Sequence, residues 1–123
     1  MNRIIKFRAF DGVDYITNPF TLLDIQNGKI QFASSDTVIM QYTGLKDSKG
    51  IEIYEGDILQ NERNDAYKYY VVFEDGSFCA NHTTFKNHEG NPLRWGLLNR
   101  FNELRDISMV VIGNIHQDKH LLT

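Results

Sequence analysis

The residues most able to do chemistry are Cys79, His82 and His88, a thiol and two imidazoles close together in the chain. Such a group suggests zinc. Structural zinc takes four ligands from spaced pairs, and with one cysteine there is no Cys-x-x-Cys. Cys79, after a Tyr-rich stretch, reads instead as a small buried hydrophobe. His116 and His120 would share a face only on a helix, and none is expected there. A Cys79–His nucleophile pair is formally available, but no third residue is placed to orient it. Asp47, Glu52, Glu55 and Asp57 lack the alternating carboxylates of a cation-binding loop and read as a solvated acidic stretch. No catalytic residue, metal ligand or cofactor is expected.

Gly44, Gly50 and Gly56 are spaced six apart. A phosphate cradle would need a Gly-x-x-x-x-Gly-Lys-Ser/Thr order and a following helix N-terminus, and neither is present. The glycines read as turn positions. Tyr42, Leu45 and Tyr54 cover the core between those turns, and Asp57 accepts backbone N–H groups where a strand begins.

Two groupings suit nucleic acid. Arg3, Lys6 and Arg8 flank Phe7 and Phe10, and Lys68 lies among Tyr67, Tyr69 and Tyr70, as in stacking platforms. The candidate contacts are Arg3, Lys6, Arg8, Lys68 and Tyr69; Trp95 with Arg94 and Arg100 is a further grouping. A net charge of -3 removes any whole-surface attraction for phosphate. Aromatic residues at 12%, including six Tyr and eight Phe, favour protein contact. Self-association and an unidentified protein partner are the expected interactions, with nucleic acid the alternative.

The elements that must position these residues follow mostly a period of two, the pattern of half-buried strands. Ile5, Phe7 and Ala9 alternate with Lys6 and Arg8, and Asp11-Gly12 turns the chain toward Tyr15-Ile16. Thr21–Ile25 and Lys29–Phe32 flank Asn27-Gly28, the strongest short hairpin signal. Thr37–Tyr42 is a strand, Gly44–Gly50 a loop, Asp57–Gln60 a short strand and Asn61–Ala66 an exposed loop. Tyr67–Phe73 and Ser77–Ala80 form a hairpin about Asp75-Gly76. Residues 81–95 read as irregular. Leu97, Leu98, Phe101 and Leu104 predict a helix over Trp95–Asp106. Met109–Gly113 is a buried strand, and Asp118–Leu122 a last helical turn or tail.

The length of 123 residues suits one domain, divisible into N-terminal hairpins (1–42) and a small β-barrel (43–123). Short strands with frequent turns predict a mainly β fold. Neither a secretory leader nor a membrane span is expected, which places the chain in the cytoplasm.

The stretch Gln41-Tyr42-Thr43-Gly44-Leu45-Lys46-Asp47-Ser48-Lys49-Gly50-Ile51-Glu52-Ile53-Tyr54-Glu55-Gly56-Asp57-Ile58 resembles the YopX-like family of phage and prophage proteins. So do Lys6-Phe7-Arg8-Ala9-Phe10 and the closing Ile112-Gly113-Asn114-Ile115 with Leu121-Leu122. The three motifs stand in family order across nearly the whole chain, and residues 61–106 match none. The resemblance implies a phage or prophage accessory protein of the bacterial cytoplasm. It also implies a compact β-rich fold with an SH3-like small barrel in the C-terminal part. It carries over no catalytic residue.

Overall fold

In this computed structural model, which describes residues 5–31, 35–96 and 109–122, two antiparallel sheets carry the chain. The first is ordered β1-β2-β3, from β1 (Phe7–Phe10), β2 (Val38–Lys46) and β3 (Glu52–Tyr54). The second is ordered β7-β6-β5-β4-β8, from β4 (Asp57–Asn61), β5 (Asn64–Glu74), β6 (Ser77–Lys86), β7 (Pro92–Gly96) and β8 (Met109–Asn114). A short helix α1 (Leu22–Gln26) and a closing 3-10 turn (Lys119–Leu122) complete the described elements. The mainly β class holds. Among the described residues both sheets are open, so the expected barrel does not close.

One apolar cluster joins the two sheets, and a second lies on the first sheet. Ile53 of β3 packs with Leu59, Tyr69, Val71, Ala80 and Met109, and Leu45 of β2 packs against them. Phe10, Met40, Tyr42 and Tyr54 form the second, smaller cluster. Burial of such side chains contributes roughly 1.5–3 kcal/mol each. The tight turn at Asp75-Gly76 forms as read. Both residues have positive φ, 54° and 82°, and Glu74 pairs with Ser77, as a two-residue turn matching strand twist requires.

The stretch around Asn27-Gly28 is helical, contrary to the expected hairpin. Thr21 and Asp24 form a reciprocal capping box: the Thr21 hydroxyl accepts the Asp24 N–H at 3.3 Å, and the Asp24 carboxylate accepts the Thr21 N–H at 2.9 Å. The other end closes as a Schellman motif. Gly28 N–H donates to Ile25 C=O at 3.1 Å and Lys29 N–H to Asp24 C=O at 2.9 Å, with Gly28 at φ 74°. The positive φ that suggested a strand turn instead ends a helix.

Further expectations change. Asn61 pairs with Asn64 about Glu62-Arg63, so most of the expected 61–66 loop is strand. Gly44 lies inside β2, beside its register shift against β3. Residues 81–86 extend β6 and 92–96 form β7, replacing irregular chain. Trp95 and Gly96 therefore belong to a strand, while the rest of the predicted helix, with Arg100, lies outside the described residues. The N-terminal hairpin is formed in reduced extent: beside β1, Phe10–Ile16 and Phe7–Phe20 pair as isolated bridges.

Candidate functional site: the junction of the three motifs

Alternation along β1 turns Arg8 and Phe10 to one side, where β4 and the segment after β8 meet them. The Arg8 guanidinium forms an ion pair with the Asp57 carboxylate at the first position of β4. Asp57 is fully buried. Its other oxygen accepts the Tyr54 N–H at 2.8 Å, which fixes the Glu55-Gly56 turn. Arg8 also lies over the Tyr54 ring, 4.6 Å from its centroid, a cation–π contact. Phe10 stacks on His116, ring centroids 5.1 Å apart. Asp57 pairs across β4–β8 with Asn114, so all three motifs meet at one place.

Burial pushes the Asp57 carboxyl up to about 6, while Arg8 and the Tyr54 N–H pull against it. Burial also lowers His116, with Arg8 and Lys119 adding to the effect. Beside this pair, Lys6 forms an ion pair with Glu52 and sits over the Tyr42 ring at 4.9 Å. Tyr54 donates its hydroxyl to Glu52 at 3.2 Å. Burial, then the Glu52 charge, raises both Tyr42 and Tyr54. Their rings lie 5.4 Å apart on paired strands.

A second buried acid ties the central motif to β8. One Asp47 oxygen accepts the N–H groups of Lys49 and Ile51, at 2.9 and 2.8 Å. The other reaches across 64 positions to the Val111 N–H at 2.9 Å. Ser48 N–H adds a bond to Met109 C=O at 3.1 Å. The β2–β3 turn thus covers part of the outer edge of β8, supplying acceptors and donors where a strand would otherwise stand exposed.

The glycines of the motif take the left-handed backbone expected of them: φ is 88° at Gly44, 83° at Gly50 and 88° at Gly56. Gly56 is constrained twice, because a Cβ there would also meet Met40 Sδ at 3.3 Å and His116 Nε2 at 3.4 Å. Gly113 is fixed by space alone: its Cβ would lie 2.5 Å from an Asp118 carboxylate oxygen. That oxygen accepts the Asn114 N–H at 3.1 Å, and the Asn114 side-chain Oδ1 accepts the His116 and Gln117 N–H groups. The Ile-Gly-Asn-Ile motif is therefore a strand exit wound into a turn.

Other sequence candidates separate. Cys79 and His82 are buried three positions apart on β6 and face opposite sides of the sheet, while His88 is exposed in the following turn. Asp47 and Asp57 are buried instead of solvated. Among the described residues no group of three or more His, Cys, Asp or Glu is arranged to hold a metal. Of the nucleic-acid candidates, Lys6 and Arg8 are ion-paired, Tyr69 is buried against His82 and Lys68 is half-buried on β5. Arg3 lies outside the described residues. Composition and spacing could not reveal the Arg8–Asp57 and Asp47–Val111 links. The available signal was the position of Arg8, on the same strand face as Phe10.

A family model described as YopX protein matches residues 17–123. Three chains of solved structures match. One is protein EF1440 from Enterococcus faecalis, whose crystal structure is 24% identical with a TM-score of 0.60, covering 99% of this chain and 100% of that one. At that identity the likeness is one of fold. A comparison with curated proteins finds no match. With most of its length covered by the family model, and its motifs interlocked as described, this chain belongs to the YopX family.

Proposed function

We propose that the protein is a phage or prophage accessory protein of the bacterial cytoplasm that acts by binding, first to another copy of itself, and not by catalysis. Four charged side chains of its motifs are engaged with one another, at the buried Arg8–Asp57 pair and the partly buried Lys6–Glu52 pair. The surface also offers exposed apolar side chains. Phe73 is 46% exposed and stands in edge contact with Phe78, on the sheet face whose buried part is Val71 and Ala80 and which also carries Trp95, 37% exposed. This aromatic group on one face of the second sheet is the observation that carries the reading. Aromatic side chains of this kind anchor interfaces, and grouped exposed apolar side chains mark contact sites.

Sedimentation velocity over a range of concentrations tests it. The reading requires assembly that grows with concentration and is weakened by Phe73→Ser in a chain that still folds. A monomer at every concentration, together with a salt-sensitive mobility shift on single-stranded DNA or RNA, would replace it with nucleic-acid binding.

A further inference from the structure

β6 departs from its ladder at one place. Its pairing with β5 ends at Tyr69–His82, and its register against β7 shifts between Asn81 and Lys86. At this kink the N–H groups of Thr84 and Phe85 both donate to His82 Nδ1, each at 3.0 Å. One imidazole nitrogen thus replaces a strand partner for two consecutive amides. With Nδ1 the acceptor, the ring is the neutral tautomer protonated on Nε2.

The other nitrogen is enclosed. His82 is 3% exposed, and its Nε2 is buried with no hydrogen-bond partner among the described residues. Three aromatic rings surround the imidazole: Tyr69 edge-on at 4.9 Å, Phe85 at 4.4 Å and Tyr67 edge-on at 5.9 Å. We infer that His82 is a proton-operated pin for the outer part of β6: neutral, it holds the kink closed, and protonated, it releases Thr84, Phe85 and the hairpin end beyond them.

The chemistry is one-sided. A proton on Nδ1 turns the shared acceptor into a donor facing two donors, so both bonds are lost. It also places a charge among rings, with no acceptor for the second N–H. Among the described residues, the titratable groups facing the ring are the phenols of Tyr67 and Tyr69 on β5. Lys68 alternates to the other face of that strand. Lys86 is exposed at the end of β6, and Arg94 of β7 is directed to Asn81 and Glu74. Among the described residues no carboxylate therefore compensates an imidazolium, and burial lowers the His82 pKa. Because the closed form resists the proton, its stability is present at neutral pH and is lost as pH falls below the ordinary imidazole value of 6.5. Opening would bare more of Tyr67 and Phe85, already 37% and 47% exposed.

Amide exchange of Thr84 and Phe85 in the full chain, corrected for intrinsic pH dependence, tests the pin. In the wild type the opening constant should rise by up to about tenfold for each pH unit below the imidazole range. His82→Asn keeps an acceptor near the place of Nδ1 and does not titrate, so its exchange should be flat with pH. Ring nitrogen shifts should show the Nε2–H tautomer at neutral pH. Amides that stay protected while His82 becomes protonated would overturn the inference, as would an Asn variant with the wild-type pH slope. If the variant does not fold, the wild-type ring titration and amide exchange decide the matter together.

Discussion

Removing either partner of the Arg8–Asp57 pair should destabilise the chain, but with different pH dependence. Breaking a buried ion pair costs about 3–5 kcal/mol, because one charge remains buried without its partner. In Asp57→Asn the orphan is a guanidinium that cannot lose its proton, so the variant's own stability should not follow pH through the Asp57 range and its deficit against the wild type should be largest below it. In Arg8→Met the orphan is a carboxyl that burial already pushes up to about 6, and without Arg8 it must rise further. That variant folds with the acid neutral and should recover stability on acidification by up to about 1.4 kcal/mol per pH unit. In the wild type the raised Asp57 value has the same sign: its contribution is whole below the ordinary value of 3.8 and is lost as pH rises through about 6. From 3.8 to about 6 the change amounts to about 3 kcal/mol. Urea unfolding of the wild type, both single variants and the double variant, above and below that midpoint, gives the cycle. The double variant should lose less than the two singles together, with a coupling of about 2–3 kcal/mol above the midpoint. Additive losses, or an Arg8→Met deficit that ignores pH, would refute the buried pair.

Three other perturbations separate the structural roles. Asp47→Ala leaves Lys49, Ile51 and Val111 N–H groups without their acceptor, and should lower stability by roughly 3 kcal/mol in denaturant unfolding. Gly56→Ala combines a positive φ with crowding against Met40 and His116, and should cost roughly 2 kcal/mol or more. Gly44→Ala, with open space around it, should cost only the roughly 1–2 kcal/mol of backbone strain. Equal thermal shifts for the two would remove the packing argument. Thr21→Ala should weaken α1 by about 1 kcal/mol. Since α1 has no buried residue, the effect should show as faster exchange of the Asp24 amide while the global midpoint barely moves.

The parts of the fold legible in the sequence are those where local chemistry and tertiary packing agree. Tyr67–Phe73 alternates as a half-buried strand should, and Asp75-Gly76 is a pair that accepts the positive φ its turn requires. Asn27-Gly28 misled because a positive φ serves a strand turn and a helix end equally well. The deciding information lay upstream, in Thr21 and Asp24, whose spacing is that of a capping box. Residues 81–95 misled because they are polar. Strand continues there with Asn81 accepting from Arg94, a product of tertiary placement, and with His82 supplying one acceptor to two N–H groups at the kink. The acids of the central motif read as solvated for the same reason. Nothing local to Asp47 or Asp57 announces Val111 or Arg8, which only the assembled sheets bring near.

Hydrogen exchange at Lys49, Ile51, Tyr54 and Val111 most directly tests whether Asp47 and Asp57 are structural ties. Their carboxylates hold these four amides. If the ties are integral to the fold, all four exchange only through global unfolding, with the free energy that denaturant melting gives. Fast exchange at these amides, while the core amides of Leu59 and Val71 stay protected, would mean that the motif is a loosely held surface segment and would contradict the account.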